Sequence, residues 1–316
     1  MRRNPALTIR GIRSATAFLA FAALGAAACG DSREEPVRME PTIAVAEPAP
    51  VTTVVADGTV ATPRFVVPEN VSYEMAETAF LDKRYEEAVA MFEVYSANRP
   101  RNPWGQYMLG LSTWKFGERE RAVEAFESAL ALDPTHVKSM LNLGRVLLEL
   151  GRAEEALVKV EAALAADSSA PEVYRLLGRA YGELGRTDES LESYRHAIVL
   201  DEKDVWSMNN MGFVLIQQGR HEEALGPLAR AVELRGDVAV FRNNLGIALE
   251  GTGQFTLAIE QFRKVVELDE TYVKASVSLT RVEELRESPD TVPIDLSEIA
   301  RRFIDEVKSV EIPHDC

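Results

Sequence analysis

The side chains that most often carry chemistry are few in this sequence and do not converge. The four histidines, His136, His196, His221 and His314, are spaced too irregularly to make a metal set or a shared catalytic base. No glycine loop has phosphate-cradling spacing, and neither G-x-S-x-G nor H-E-x-x-H occurs. The residues that do recur suit non-covalent recognition. Asn142, Asn210 and Asn244 are 68 and 34 residues apart, and Asn209 and Asn243 precede two of them. An asparagine offers a donor and an acceptor together, so it can match a peptide amide without reading the side chain. Lys138, Arg145, Arg175 and Arg179 are bases of the kind that hold a carboxylate. Trp104, Tyr107, Leu111 and Trp114, spaced by 3, 4 and 3, share one helix face, and Tyr73 and Phe80 precede them. Such a stripe is either core or a binding patch.

The elements that must position these residues belong to a chain of 316 residues, enough for a sizeable core. Its 35 basic and 50 acidic residues give a formal charge of -15. Without the first 28 residues, which hold four arginines and no acid, the balance is about -19. A field of that sign repels phosphate backbones, so nucleic acid is not an expected partner.

Residues 1–28 read as a signal peptide: a basic stretch to Arg13, then an apolar run from Ala15 to Ala28. That run is too short to span ~30 Å of hydrocarbon. Leu24-Gly25-Ala26-Ala27-Ala28-Cys29 resembles a bacterial lipobox, which implies cleavage before Cys29 and lipidation of that cysteine. It departs from the pattern in having Ala26 where leucine is preferred, and ordinary Ala-x-Ala cleavage would release a soluble protein instead. Residues 29–68 then form a linker punctuated by six prolines from Pro36 to Pro68, semi-extended in character.

The remaining order is set by a repeat. Gly110, Gly144, Gly178, Gly212 and Gly246 lie 34 apart, as do Gly117, Gly151, Gly185, Gly219 and Gly253. A third comb runs Ala88, Ala122, Ala156, Ser190, Ala224, Ala258, and a fourth Phe92, Phe126, Val160, Tyr194, Leu228, Phe262. With Tyr174, Leu177-Gly178, Tyr181, Ser190, Tyr194 and Ala197 in one unit, the pattern resembles the tetratricopeptide (TPR) family. That resemblance implies an all-α fold, a right-handed superhelical solenoid of six helix-turn-helix repeats plus a capping helix. The units are 69–102, 103–136, 137–170, 171–204, 205–238 and 239–272, with the cap at 273–287. The first glycine comb lets helices A and B of a unit meet, and the second suits a left-handed turn. Asp133, Asp167, Asp201 and Asp269 suit turns between units. Pro227 is expected to kink a helix B.

In this family helix A faces a concave groove. The resemblance therefore places Asn142, Asn209, Asn210, Asn243 and Asn244 with Lys138, Arg145, Arg175 and Arg179 on a peptide-binding surface selective for acidic peptide. Tyr73, Trp104, Tyr107 and Trp114 would form an aromatic patch at its N-terminal end. The alternatives are that the asparagines merely tolerate that surface, the bases pair with neighbouring acids and the aromatics are core. In the tail, 288–316, Asp295 to Glu298 has capping-box spacing and Ile299, Phe303, Ile304, Val307 and Val310 make an amphipathic stripe. That helix docks on the end or groove of the solenoid, or binds a partner. Cys316 is the one other cysteine.

The expected function is a non-catalytic protein-binding scaffold, lipid-anchored in the bacterial envelope and facing the periplasm from the outer membrane, with no metal or cofactor. Assembly of a secretin, pilus or outer-membrane complex is one task; tethering soluble periplasmic enzymes, or binding a small molecule or glycan, are the others.

Overall fold

Fourteen helices form among the described residues of the computed structural model, which are 66–288 and 291–309. The signal peptide, Cys29, the linker up to residue 65 and Cys316 lie outside them. Six A/B pairs follow in order: α1 (Tyr73–Leu81) with α2 (Tyr85–Asn98), α3 (Pro103–Phe116) with α4 (Arg119–Leu132), and α5 (Val137–Glu149) with α6 (Ala153–Ala166). Then come α7 (Pro171–Glu183) with α8 (Thr187–Leu200), α9 (Val205–Gln217) with α10 (His221–Leu234), and α11 (Ala239–Gly251) with α12 (Phe255–Leu268). The cap is α13 (Val273–Glu283), and α14 (Leu296–Ser309) lies in the tail. The architecture is the expected all-α solenoid of six repeats and a capping helix, with α14 added.

Local chemistry sets the helix ends. Gly117, Gly151, Gly185, Gly219 and Gly253 all have φ between 71° and 101°, which reverses the chain after each helix A from α3 onward. The same position in repeat one is Lys83, at φ 61°. A side chain there clashes with its own carbonyl, so Lys83→Gly should stabilise the first repeat by about 0.5–1 kcal/mol. Slower amide exchange in α1 and α2 would register the gain. Between units, Asp133, Asp167, Asp201 and Asp269 accept the N–H two residues on at 2.9–3.0 Å, closing the expected turns.

Within each unit the backbones meet at the first glycine comb. A Cβ on Gly110 would come 2.6 Å from the Phe126 ring, on Gly178 2.7 Å from Tyr194, and on Gly246 2.6 Å from Phe262. Those three rings are almost wholly buried. The first glycine comb and the comb of large apolar residues therefore specify each other, sixteen residues apart. The buried apolar side chains form two groups that divide within repeat four, one running from Val71 to Ala180 and the other from Leu191 to Val307.

Pro227 lies inside α10, which continues on both sides of it. The tail helix sits neither on the end nor in the groove. α14 lies against the B helices α10 and α8, burying Ala300, Phe303, Ile304 and Val307. Asp295 caps it, accepting from the Ser297 N–H at 2.8 Å. The receiving surface is a close approach: a Cβ on Gly226 would lie 2.9 Å from Phe303. The equivalent residues in other repeats include Glu124, Glu192 and Glu260, and Ala229 likewise replaces Glu127, Glu161, Arg195 and Arg263. Repeat five alone has cleared its outer face for a helix.

Candidate functional site

Successive A helices touch one another along the array, from α1 and α3 through to α9 and α11, whereas successive B helices approach far less. The A helices therefore line the inner side of the curve, which puts the sequence-predicted binding residues on or beside it.

The asparagines are buried, and they bond inwards. Asn244 Nδ2 donates to Asn209 Oδ1 at 3.0 Å, Asn209 Nδ2 to Asn210 Oδ1 at 3.3 Å, and Asn243 Nδ2 to Asn244 Oδ1 at 3.4 Å. Asn210 also bonds the Tyr194 hydroxyl, whose pKa burial pushes up. Asn142 Nδ2 donates to the Tyr107 phenol oxygen at 3.3 Å. In both the Asn142 and Asn244 bonds an A-helix amide reaches the side chain 35 residues earlier, one step back along the preceding A helix. Asn142, Asn209, Asn210 and Asn244 are thus occupied in stitching repeat to repeat, with Asn243 bonded to Asn244. Asn244→Ala should cost about 1–3 kcal/mol, since it strands buried polar atoms of Asn209 and Asn243. Urea denaturation would measure it without any ligand.

The arginines are not a bare positive strip. Arg145 pairs with Glu172 and donates to Asn142 Oδ1 at 2.8 Å. Arg175 donates to the buried Asp204 at 2.7 Å, and Arg179 to Glu183 at 2.9 Å. Burial, then the neighbouring Arg175 charge, lowers the Arg145 guanidinium to about 10. Burial raises Glu183 against the pull of Arg179. The acids come from the same or the next A helix, or from the turn before it, so the row alternates in sign instead of selecting for acidic peptide by net charge.

The aromatic patch divides as well. Tyr73 sits edge-on to Phe92 and Tyr95 at 5.9 and 5.8 Å, and Tyr107 is buried. Trp114 is half-buried and donates from Nε1 to Glu149 at 3.1 Å. Trp104 is 44% exposed, with the Lys138 ammonium 5.4 Å from its ring centroid. Trp104 is also in contact with His136, at 4.7 Å between centroids. His136 had no role in the sequence pattern, although its place at the end of unit two, where Asn102 and Asp204 stand in other units, marks it as a helix cap. Among the described residues no group of three His, Cys, Asp or Glu side chains could hold a metal ion, and no helix is long and apolar enough to cross a membrane.

Comparison with known proteins agrees with this architecture. Models described as tetratricopeptide repeat match residues 107–171 and 203–271, and one described as TPR repeat matches 178–219. A thermophilic TPR protein from Thermus thermophilus is 22% identical, over 58% of this chain and 100% of its own, at a TM-score of 0.50. A tetratricopeptide repeat protein from Parabacteroides merdae ATCC 43184 is 13% identical, over 67% and 82%, at 0.55. MamA from Desulfovibrio magneticus RS-1, from its residue 41 on, is 25% identical over 51% and 92%, at 0.49. No curated protein matches the chain. The combs, the helix pairs and the three family-model matches fall on the same stretch of sequence: the repeats of this chain are tetratricopeptide repeats.

Proposed function

We propose that this chain is a non-catalytic scaffold that holds a protein or peptide segment along its A-helix face, on a lipid tether in the bacterial cell envelope. The observation that carries the reading is the state of that face in repeats two to four. Trp104 stands exposed under the Lys138 ammonium, and Arg145, Arg175 and Arg179 remain partly exposed while paired. An exposed indole anchors an apolar side chain, and an alternating row of guanidinium and carboxylate groups offers donors and acceptors to an extended backbone. The asparagines contribute by holding the repeats in register. The tether rests on the sequence from Leu24 to Cys29 and on the proline-rich segment after it, with the folded part facing the periplasm from the outer membrane. Its task is assembly of a larger envelope complex such as a secretin or pilus.

A photo-crosslinking amino acid at position 104, used in native envelopes, tests both parts. Recovery of an integral outer-membrane partner supports the assembly task, and recovery of a soluble periplasmic enzyme replaces it with an adaptor role. If no protein is captured, the scaffold reading fails. Labelling with a radioactive fatty acid that is not lost in Cys29→Ala removes the tether.

A further inference from the structure

The last residue of each unit precedes the next helix A, and its type changes along the array: Asn102, His136, Ala170, Asp204, Val238, Tyr272. Three of these cap through the side chain. Asn102 Oδ1 accepts from the Trp104 N–H at 3.0 Å, and Asp204 Oδ1 from the Ser207 N–H at 3.2 Å. His136 does the same with Nδ1, which accepts from the Ser139 N–H at 3.2 Å and lies 2.7 Å from the Ser139 hydroxyl. An imidazole that accepts at Nδ1 carries its proton on Nε2. That Nε2 is buried and has no hydrogen-bond partner. The ring, 7% exposed, stands edge-on to Trp104 at 4.7 Å and to Tyr107 at 5.1 Å, so it ties the cap of α5 to the A helix of the previous repeat. Of the three side-chain caps it is the one whose type has an ordinary pKa near neutrality.

We propose that His136 is an acid-sensitive latch at the seam between repeats two and three. A proton on Nδ1 turns its acceptor into a donor facing the Ser139 N–H, which uncaps α5. The cation would also stand at the positive end of the α5 dipole, with Lys138 in the same first turn. Asp133, in the preceding turn, favours the cation. Burial outweighs Asp133, and with Lys138 it holds the His136 pKa below its ordinary value. The Tyr107 hydroxyl, pushed up by burial, stays neutral throughout. The sign is then fixed. The unfolded chain takes up this proton near pH 6.5 and the folded chain lower, so the latch stabilises fully above about 6.5 and is lost as pH falls through the folded value. Because Trp104 lies on the face read above as the partner site, and for that consequence alone resting on that reading, partner affinity at this end should fall with acid.

The test needs no partner. In the full chain, His136 is followed by NMR from pH 7.5 to 5, together with exchange of the Ser139 amide and tryptophan emission. The titration should fall below 6.5, and Ser139 protection should drop about fivefold to tenfold beyond the intrinsic pH effect. In His136→Asn, which keeps a cap like that of Asn102 but cannot titrate, both responses should vanish; His136→Asp serves if that variant does not fold. Titration at or above 6.5, or the same response in either variant, overturns the latch. Neither outcome bears on whether position 104 captures a protein, so the two readings fail separately.

Discussion

Gly246→Ala should destabilise the protein by about 1–3 kcal/mol, against the ordinary helical trend in which the same change gains about 1. Gly246 lies inside α11, where alanine is the better helix former. The loss comes from the wall it faces: the new Cβ would sit 2.6 Å from Cε1 of Phe262, a ring with no exposure and nowhere to turn. Urea unfolding of the single variants and the double variant with Phe262→Ala provides the check. Truncating the ring alone should cost about 3–5 kcal/mol. The double variant should recover part of that sum, with a coupling of about 1–2 kcal/mol. Simple additivity would mean that the two residues do not share one volume. Gly253→Ala makes the contrast. Nothing lies within 4 Å of its Cβ, and its cost, about 1 kcal/mol, comes from φ 77°.

Phe303→Ala should detach the C-terminal helix. Its ring fills the recess that Gly226 leaves on α10, and the lost burial is worth about 1.5–3 kcal/mol, with the value capped by the docking energy of α14 as a whole. Gly226→Glu, which restores the residue type of most other repeats, should do the same from the opposite side. Proteolysis near Val292, whose carbonyl accepts from Gln254 Nε2 at 2.8 Å in the docked state, would report release. Both variants should match a chain cut before Asp295 and should self-associate, because the apolar surface at Gly226 and Ala229 loses its cover. If either variant keeps the protease resistance of the parent, α14 is held by something other than this recess.

These two sites also show how legible the protein was. The 34-residue combs carried the fold: Gly246 and Phe262 can be read as partners from spacing alone, because units two to six repeat the same contact. The α14 recess was also in the sequence, as Gly226 and Ala229 where other units have mostly charged residues. It is visible only as a departure from the repeat, not as part of it. The charge state of the A-helix face was not legible. Glu172 and Asp204 reach Arg145 and Arg175 from the next A helix and from the turn before one, and pairing across units depends on how units rotate against each other. The asparagines follow the same logic. Their period was plain, but whether an amide at that period faces a ligand or the preceding repeat depends on the approach of neighbouring A helices.

The division of the apolar interior within repeat four has a mechanical consequence. Among the described residues no helix is strapped across the outer face from α1 to α7, whereas α14 bridges repeats four and five and the tail also contacts repeat six through Gln254. Pulled from its N-terminal side, the chain should peel unit by unit up to repeat four, in small steps at low force. The remainder should then yield in one larger event. The break would fall between α6 and α7, because Gly178 closed against Tyr194 holds α7 to α8, and the strapped portion would be the last to let go.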